Sequence, residues 1–181
     1  MEYLERSEEI VGYRVKIMHR EAFKIKGYTL IVPPNADDRF VSRFWDAVSA
    51  DGRLEKLLKA SSIRPWALGL GSWDEECEKH GFRYTICIEE TEHTDFSSLA
   101  QEYPLYTQEL GASDWMCFEM TERKYTEQFW KDNPYVMMKK LGYRFNGRVG
   151  VHFDAYPPDP GPANDPVMEF WITVAKSLKR P

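Results

Sequence analysis

The sequence predicts an α+β fold, a pseudo-two-fold duplication of a βαββ unit, with an antiparallel sheet covered on one face by two broken helices and free on the other. Three observations predict it. The two halves repeat the same order of strand-like and helix-like periods, and each half carries one amphipathic helix interrupted near its middle. Apolar residues make up 43% of 181 positions, enough for one compact core. The chain 1–181 is therefore read as a single domain, with repeat one at about 13–90 and repeat two at about 104–176.

Each half opens on extended structure. Tyr13-Arg14-Val15-Lys16-Ile17 alternates apolar and polar residues, and Ala22-Phe23-Lys24-Ile25 follows it. Tyr106-Thr107-Gln108-Glu109-Leu110 and Trp115-Met116-Cys117-Phe118 repeat the pair in the second half. The first helix has apolar residues at Phe40, Val41, Phe44, Trp45 and Val48, can start from Asp37, and is interrupted at Asp51-Gly52. Its counterpart, around Tyr125-Phe129-Trp130, is interrupted at Asn133-Pro134 and stops at Gly142. Two strand-like runs close each half: Trp66 to Trp73 and Phe82 to Glu89, then Val149 to Tyr156 and Val167 to Val174. The proline-rich segment 157–166 resists helix and central strand alike and reads as a spacer.

Period-two alternation sorts the strands into faces. Met168, Phe170, Ile172 and Val174 form an apolar set that packs on the helices, which turns Glu169, Trp171 and Thr173 to the free face. By the same rule Val149, Val151, Phe153 and Ala155 face the core, leaving Gly150, His152, Asp154 and Tyr156 beside Glu169. In the first half Trp66, Leu68 and Leu70 are assigned inward, with Ala67, Gly69, Gly71 and Trp73 on the free face. Tyr84, Ile86 and Ile88 point inward, and Arg83, Thr85 and Cys87 outward. The expected free face is a concave cleft of aromatic rings and carboxylates, with glycines leaving space. Ring faces attract planar cations by ~0.5–2 kcal/mol each, and a carboxylate supplies the counter-charge.

Other constellations carry less. His152, Asp154 and Glu169 supply one His and two carboxylates, a poor transition-metal set, so no metal and no cofactor are expected. Gly69-Leu70-Gly71 lacks the rest of a dinucleotide fingerprint. Cys87 and Cys117 read as inert small hydrophobes, and Cys77, in an acidic stretch, has no activating base. Twenty-four Lys and Arg against 29 Asp and Glu give a net charge of −5, which argues against direct nucleic-acid binding by this segment. No apolar run approaches the ~20 residues needed to cross a bilayer. Three cysteines without C-x-x-C spacing or a leader segment predict a reduced, cytoplasmic protein.

The order of elements over about 13–176 resembles the GyrI-like, or AraC-type, effector-binding domains. The residues that carry the resemblance are Tyr13-Arg14-Val15-Lys16-Ile17 through Gly27, the helix pair Phe44-Trp45, the segment Tyr106 to Gly111, the strand Val151-His152-Phe153-Asp154-Ala155-Tyr156, and above all Met168-Glu169-Phe170-Trp171-Ile172-Thr173-Val174. The last is similar to the family's Glu-Ile-Trp-Ile-Pro-Val ending, with Thr173 in place of Pro. The resemblance implies multidrug binding in a cleft, with Glu169 as the central acid, Trp171 its neighbour, and Asp154 where many members have Glu. Ligand contacts are thus expected from Glu169, Trp171, Asp154, Tyr156, Trp73, His152, Gly69 and Gly71. The leading expectation is binding of aromatic, cationic or amphipathic small molecules, drugs or other xenobiotics, for effector sensing in transcription regulation or for sequestration. A subfamily hydrolyses strained cyclopropane-containing compounds, which would give Glu169 or Asp154 a catalytic part. A protein-interaction module is the third reading. No helix-turn-helix pattern precedes Tyr13, so a DNA-binding regulator segment would lie elsewhere.

Overall fold

The computed structural model describes residues 2–61, 66–73, 80–99, 104–159 and 161–177; Cys77 lies outside them. Among the described residues, ten strands and two interrupted helical arms build an α+β fold of antiparallel ladders. The strands are β1 (Glu2–Ile10), β2 (Tyr13–Arg20), β3 (Phe23–Val32), β4 (Ala67–Ser72), β5 (Phe82–Glu90), β6 (Tyr106–Leu110), β7 (Ser113–Thr121), β8 (Tyr143–Phe145), β9 (Val151–Tyr156) and β10 (Val167–Lys176). The first helical arm is α1 (Phe40–Ala50) and α2 (Arg53–Lys59). The second is α3, which runs as Glu122–Lys124, a π-turn at Tyr125–Phe129 and Trp130–Asp132, followed by α4 (Pro134–Lys140).

The chain forms two compact units whose membership crosses the repeats read from the sequence: Met1–Ala22 with Gly111–Pro181, and Phe23–Leu110. The cause is strand pairing. β2 pairs with β7, and β6 pairs with β3, so each repeat lends its opening strand to the other unit. Within the first unit the ladder runs β1-β2-β7-β10-β9, with β8 also on β10; within the second it runs β6-β3-β5-β4. Stripped of β1 and β8, the two orders are the same. β1 is joined to β2 by a two-residue turn in which Val11 and Gly12 both have positive φ, 52° and 72°. That geometry suits a type I′ hairpin, but Val-Gly is not the usual Asn-Gly, and the sequence offers no other sign of β1.

Both helix interruptions fall where the sequence predicts. Gly52 takes φ 78° after α1, and Asp51 Oδ1 accepts from Arg53 N at 3.1 Å. Asn133 takes φ 60° and caps α4 through Oδ1, accepting from Tyr135 N at 3.0 Å, with Pro134 in the first turn. α1 begins at Phe40 rather than Asp37; Asp37 instead closes the preceding turn by accepting from Arg39 N.

The cores confirm the alternation in β10 and β5 and reverse it in β4 and β9. In the first unit Met168, Phe170, Ile172 and Val174 pack with Tyr13, Val15, Phe118, Phe129 and Met137 under the second helical arm. In β9, however, Phe153 is registered with Trp171 and Ala155 with Glu169, while Asp154 pairs with Phe170 and His152 with Ile172. Residues in register share a face, so His152, Asp154 and Tyr156 point to the helix side, against expectation. Of these, Asp154 accepts a hydrogen bond from the Tyr125 hydroxyl. In β4, Leu68 pairs with Cys87 and Leu70 with Thr85, whereas Gly69 and Gly71 pair with Ile86 and Tyr84 on the helix side. The space Gly69 leaves is filled: a Cβ there would lie 2.1 Å from Tyr84 Oη and 3.2 Å from Trp45 Cζ2. Alternation misleads in these two strands because both faces are buried, so the larger apolar set no longer marks the helix side.

Gly69→Ala is accordingly expected to cost stability, not ligand space. It would push Tyr84 away from Trp45 Nε1, which donates to Tyr84 Oη at 2.9 Å. Urea unfolding should register a loss of about 1–3 kcal/mol; an unchanged midpoint would contradict the packing role.

Candidate functional site

The free face of the first unit is organised around Glu169. β10 presents Glu169 and Trp171, β7 presents Trp115, Cys117 and Glu119, β9 presents Phe153, and β2 presents Arg14, Lys16 and Arg20. Trp171 Nε1 donates to Glu169 Oε2 at 2.9 Å and fixes the carboxylate in place. The Trp171 ring is stacked on Phe153 at 5.6 Å and 18°, and Trp115 meets Phe153 at 5.1 Å and Trp171 edge-on at 6.4 Å. The Arg20 guanidinium sits 5.9 Å from the Trp171 ring centre. Only 13% of the Glu169 side chain is exposed.

Burial raises the Glu169 pKa above the ordinary carboxylate value, opposed by the Trp171 hydrogen bond and by the charge of Lys16. Lys16 bonds Glu119 and approaches Glu169 to 4.0 Å. The Cys117 thiol is pushed well up, first by burial and then by Glu169, so it is no nucleophile at neutral pH. Cys87 is likewise raised by burial. Among the described residues no group of three or more His, Cys, Asp and Glu could hold a metal ion. The face thus sets one carboxylate against three closely packed rings, Trp115, Phe153 and Trp171, which are 0%, 1% and 7% exposed.

Alternation turns Glu169, Trp171 and Thr173 to one face of β10, as the register has them, and does not assign the residues that β2 and β7 add to it. Lys16 and Glu119 are the residues it overlooked. They were legible only through the β2-β7-β10 order, which places Arg14 opposite Glu119 and Glu119 opposite Glu169. Of the other expected contacts, His152, Asp154 and Tyr156 lie on the far side of the same unit's ladder. Gly69 and Gly71 line the helix side of the second unit. Trp73 stands at the end of β4, half exposed and 5.6 Å from Phe82. There it borders a groove of about 530 Å³ with Val32, Pro33, Asp37, Phe40 and Phe82.

The helix-side cluster has a chemistry of its own. His152 is half-buried with its ring 5.4 Å from that of Phe170, and desolvation there lowers its pKa to about 4. Asp154 is buried with Oδ1 unpartnered among the described residues, and burial raises its pKa to about 7 despite the Tyr125 bond. The two slopes oppose one another. The stability that Asp154 contributes is full below its ordinary value of 3.8 and is lost as pH rises through about 7. That of His152 is full above 6.5 and is lost as pH falls through about 4. Asp154→Asn should therefore gain stability relative to the parent as pH is raised from 4.5 to 8, whereas His152→Gln should gain relative to the parent as pH is lowered. Urea midpoints at both pH values check this, and a pH-independent difference for either variant would contradict it.

Neither a family model nor a curated protein matches the sequence. Solved structures do. The structure of SAV2435 bound to tetraphenylphosphonium superposes with a TM-score of 0.64 at 16% identity, covering 90% of this chain and 93% of that one. An integron cassette protein from the mobile metagenome of Vibrio cholerae, VCH_CASS2, gives 0.58 at 12% identity over 96% and 99%. The EcmrR C-terminal domain gives 0.53 at 14% identity over 91% and 98%. At these identities the likeness is one of fold: the chain has the α+β architecture that a ligand-bound protein and the C-terminal domain of EcmrR also have.

Proposed function

We propose that the chain is a GyrI-like effector-binding domain and that the Glu169 face binds bulky aromatic molecules carrying positive charge, such as drugs or other xenobiotics, for sensing or sequestration. The observation that carries the reading is Glu169 itself, a largely buried carboxylate oriented by Trp171 Nε1 and walled by the rings of Trp171, Phe153 and Trp115. Burial still outweighs what Trp171 and Lys16 return to this carboxylate, so an aromatic cation would add counter-charge there while burying its own rings. The likeness of fold to SAV2435, whose structure holds tetraphenylphosphonium, supports the reading. So does the likeness to the C-terminal domain of EcmrR, a protein also seen in a complex with DNA.

Titration with rhodamine 6G tests it. Saturable quenching of tryptophan emission is expected, smaller in Trp171→Phe. No quenching up to several hundred micromolar, across several classes of cationic dye, would overturn the proposal.

A further inference from the structure

Glu119 and Glu169 are in register across the β7–β10 ladder, and like charges directly opposite one another destabilise a sheet. Lys16, one strand over on β2, relieves this. Its Nζ donates to Glu119 Oε1 and lies 4.0 Å from Glu169 Oε1. Burial works against the ammonium, yet the Glu119 bond and the two carboxylate charges outweigh it and hold its proton more firmly than usual. Arg14 approaches Glu119 to 3.5 Å and is mostly exposed. Lys16 keeps 32% of its side chain exposed, and its flexible stem can carry the ammonium to water while the strand stays fixed.

We propose that Lys16 is an internal counter-ion that a cationic ligand must displace, so that binding exchanges one cation for another at the Glu119–Glu169 pair. The inference rests on the reading of this face as a cation site. Two positive charges a few ångströms apart, both drawn to the same carboxylates, repel strongly in a partly desolvated site, so one must leave. A neutral aromatic molecule would evict Lys16 without replacing its charge and would leave two facing carboxylates unneutralised. Lys16 thus acts as a specificity-determining residue, lowering affinity for all ligands but penalising neutral ones most.

The test uses the full chain with tetraphenylphosphonium as probe, comparing the parent with Lys16→Met and Lys16→Arg by calorimetry and thermal unfolding. Lys16→Met is expected to bind the cation about tenfold more tightly, to melt lower when empty, and to gain more in melting temperature on saturation than the parent gains. Lys16→Arg, which keeps the charge, should stay within about threefold of the parent. Binding by the parent with no tightening in Lys16→Met would overturn the counter-ion role and leave the cation site standing. Absence of binding by parent and variants alike, with all of them folded by circular dichroism, would overturn the cation site and the counter-ion role together. If Lys16→Met fails to fold, Lys16→Gln is the second variant, with the same tightening required of it.

Discussion

Glu169→Gln is expected to lose roughly 10- to 150-fold in affinity for an aromatic cation and little for a neutral analogue. The substitution keeps the shape of the side chain and its capacity to accept from Trp171 Nε1, so the aromatic wall of Trp171, Phe153 and Trp115 is undisturbed. What it removes is a charge-assisted contact in a site where burial has stripped most of the water, worth ~1.5–3 kcal/mol. pH gives an independent handle. Because burial raises the pKa of Glu169, acid neutralises the carboxylate earlier than an exposed one, and cation affinity in the parent should fall as pH falls through that raised value. Glu169→Gln should lack that part of the pH dependence. Equal losses for charged and neutral ligands would mean that Glu169 acts by packing.

Phe170→Ala should destabilise the protein by about 3–5 kcal/mol, a large share of an ordinary folding margin. The side chain is fully buried and lies at the centre of the first unit's core. Its ring is 5.1 Å from Phe129, 5.4 Å from Trp130 and His152, 6.3 Å from Tyr125 and 6.4 Å from Phe118. The cavity would therefore open between the sheet and the π-turn, with rings on every side that cannot all collapse into it. Urea unfolding with an unchanged slope measures the loss. Phe170→Leu, which refills most of the volume, should recover more than half of it; a loss under 1 kcal/mol for the alanine variant would contradict this account of the core.

The same strand explains what could be read from the sequence. β10 is half of the story told by alternation: its apolar set is unbroken, and Glu169 and Trp171 follow on the opposite face. The helix breaks at Asp51-Gly52 and Asn133-Pro134 were equally legible, because φ > 0 and proline leave chemical marks in the residues used. β9 was not legible in its facing. Phe153 is apolar because it stacks on Trp171, and Asp154 is polar although it is buried against Phe170 and Tyr125, so the usual sign of the rule is reversed. Gly69 likewise marks a close approach by Tyr84 rather than room for a ligand. Lys16 and Glu119 escaped for a different reason. They sit at ordinary polar positions of half-buried strands, and only the reciprocal pairing of β2 with β7 and β6 with β3 reveals that they meet Glu169.

The central claim is that this face selects aromatic molecules by positive charge. Tetraphenylphosphonium and tetraphenylborate share shape and apolar surface and differ in the sign of their charge, so calorimetric titration of the parent chain with each isolates that property. The account predicts saturable binding of the phosphonium, and binding of the borate at least thirtyfold weaker or undetectable. Equal affinities, or a preference for the borate, would contradict it.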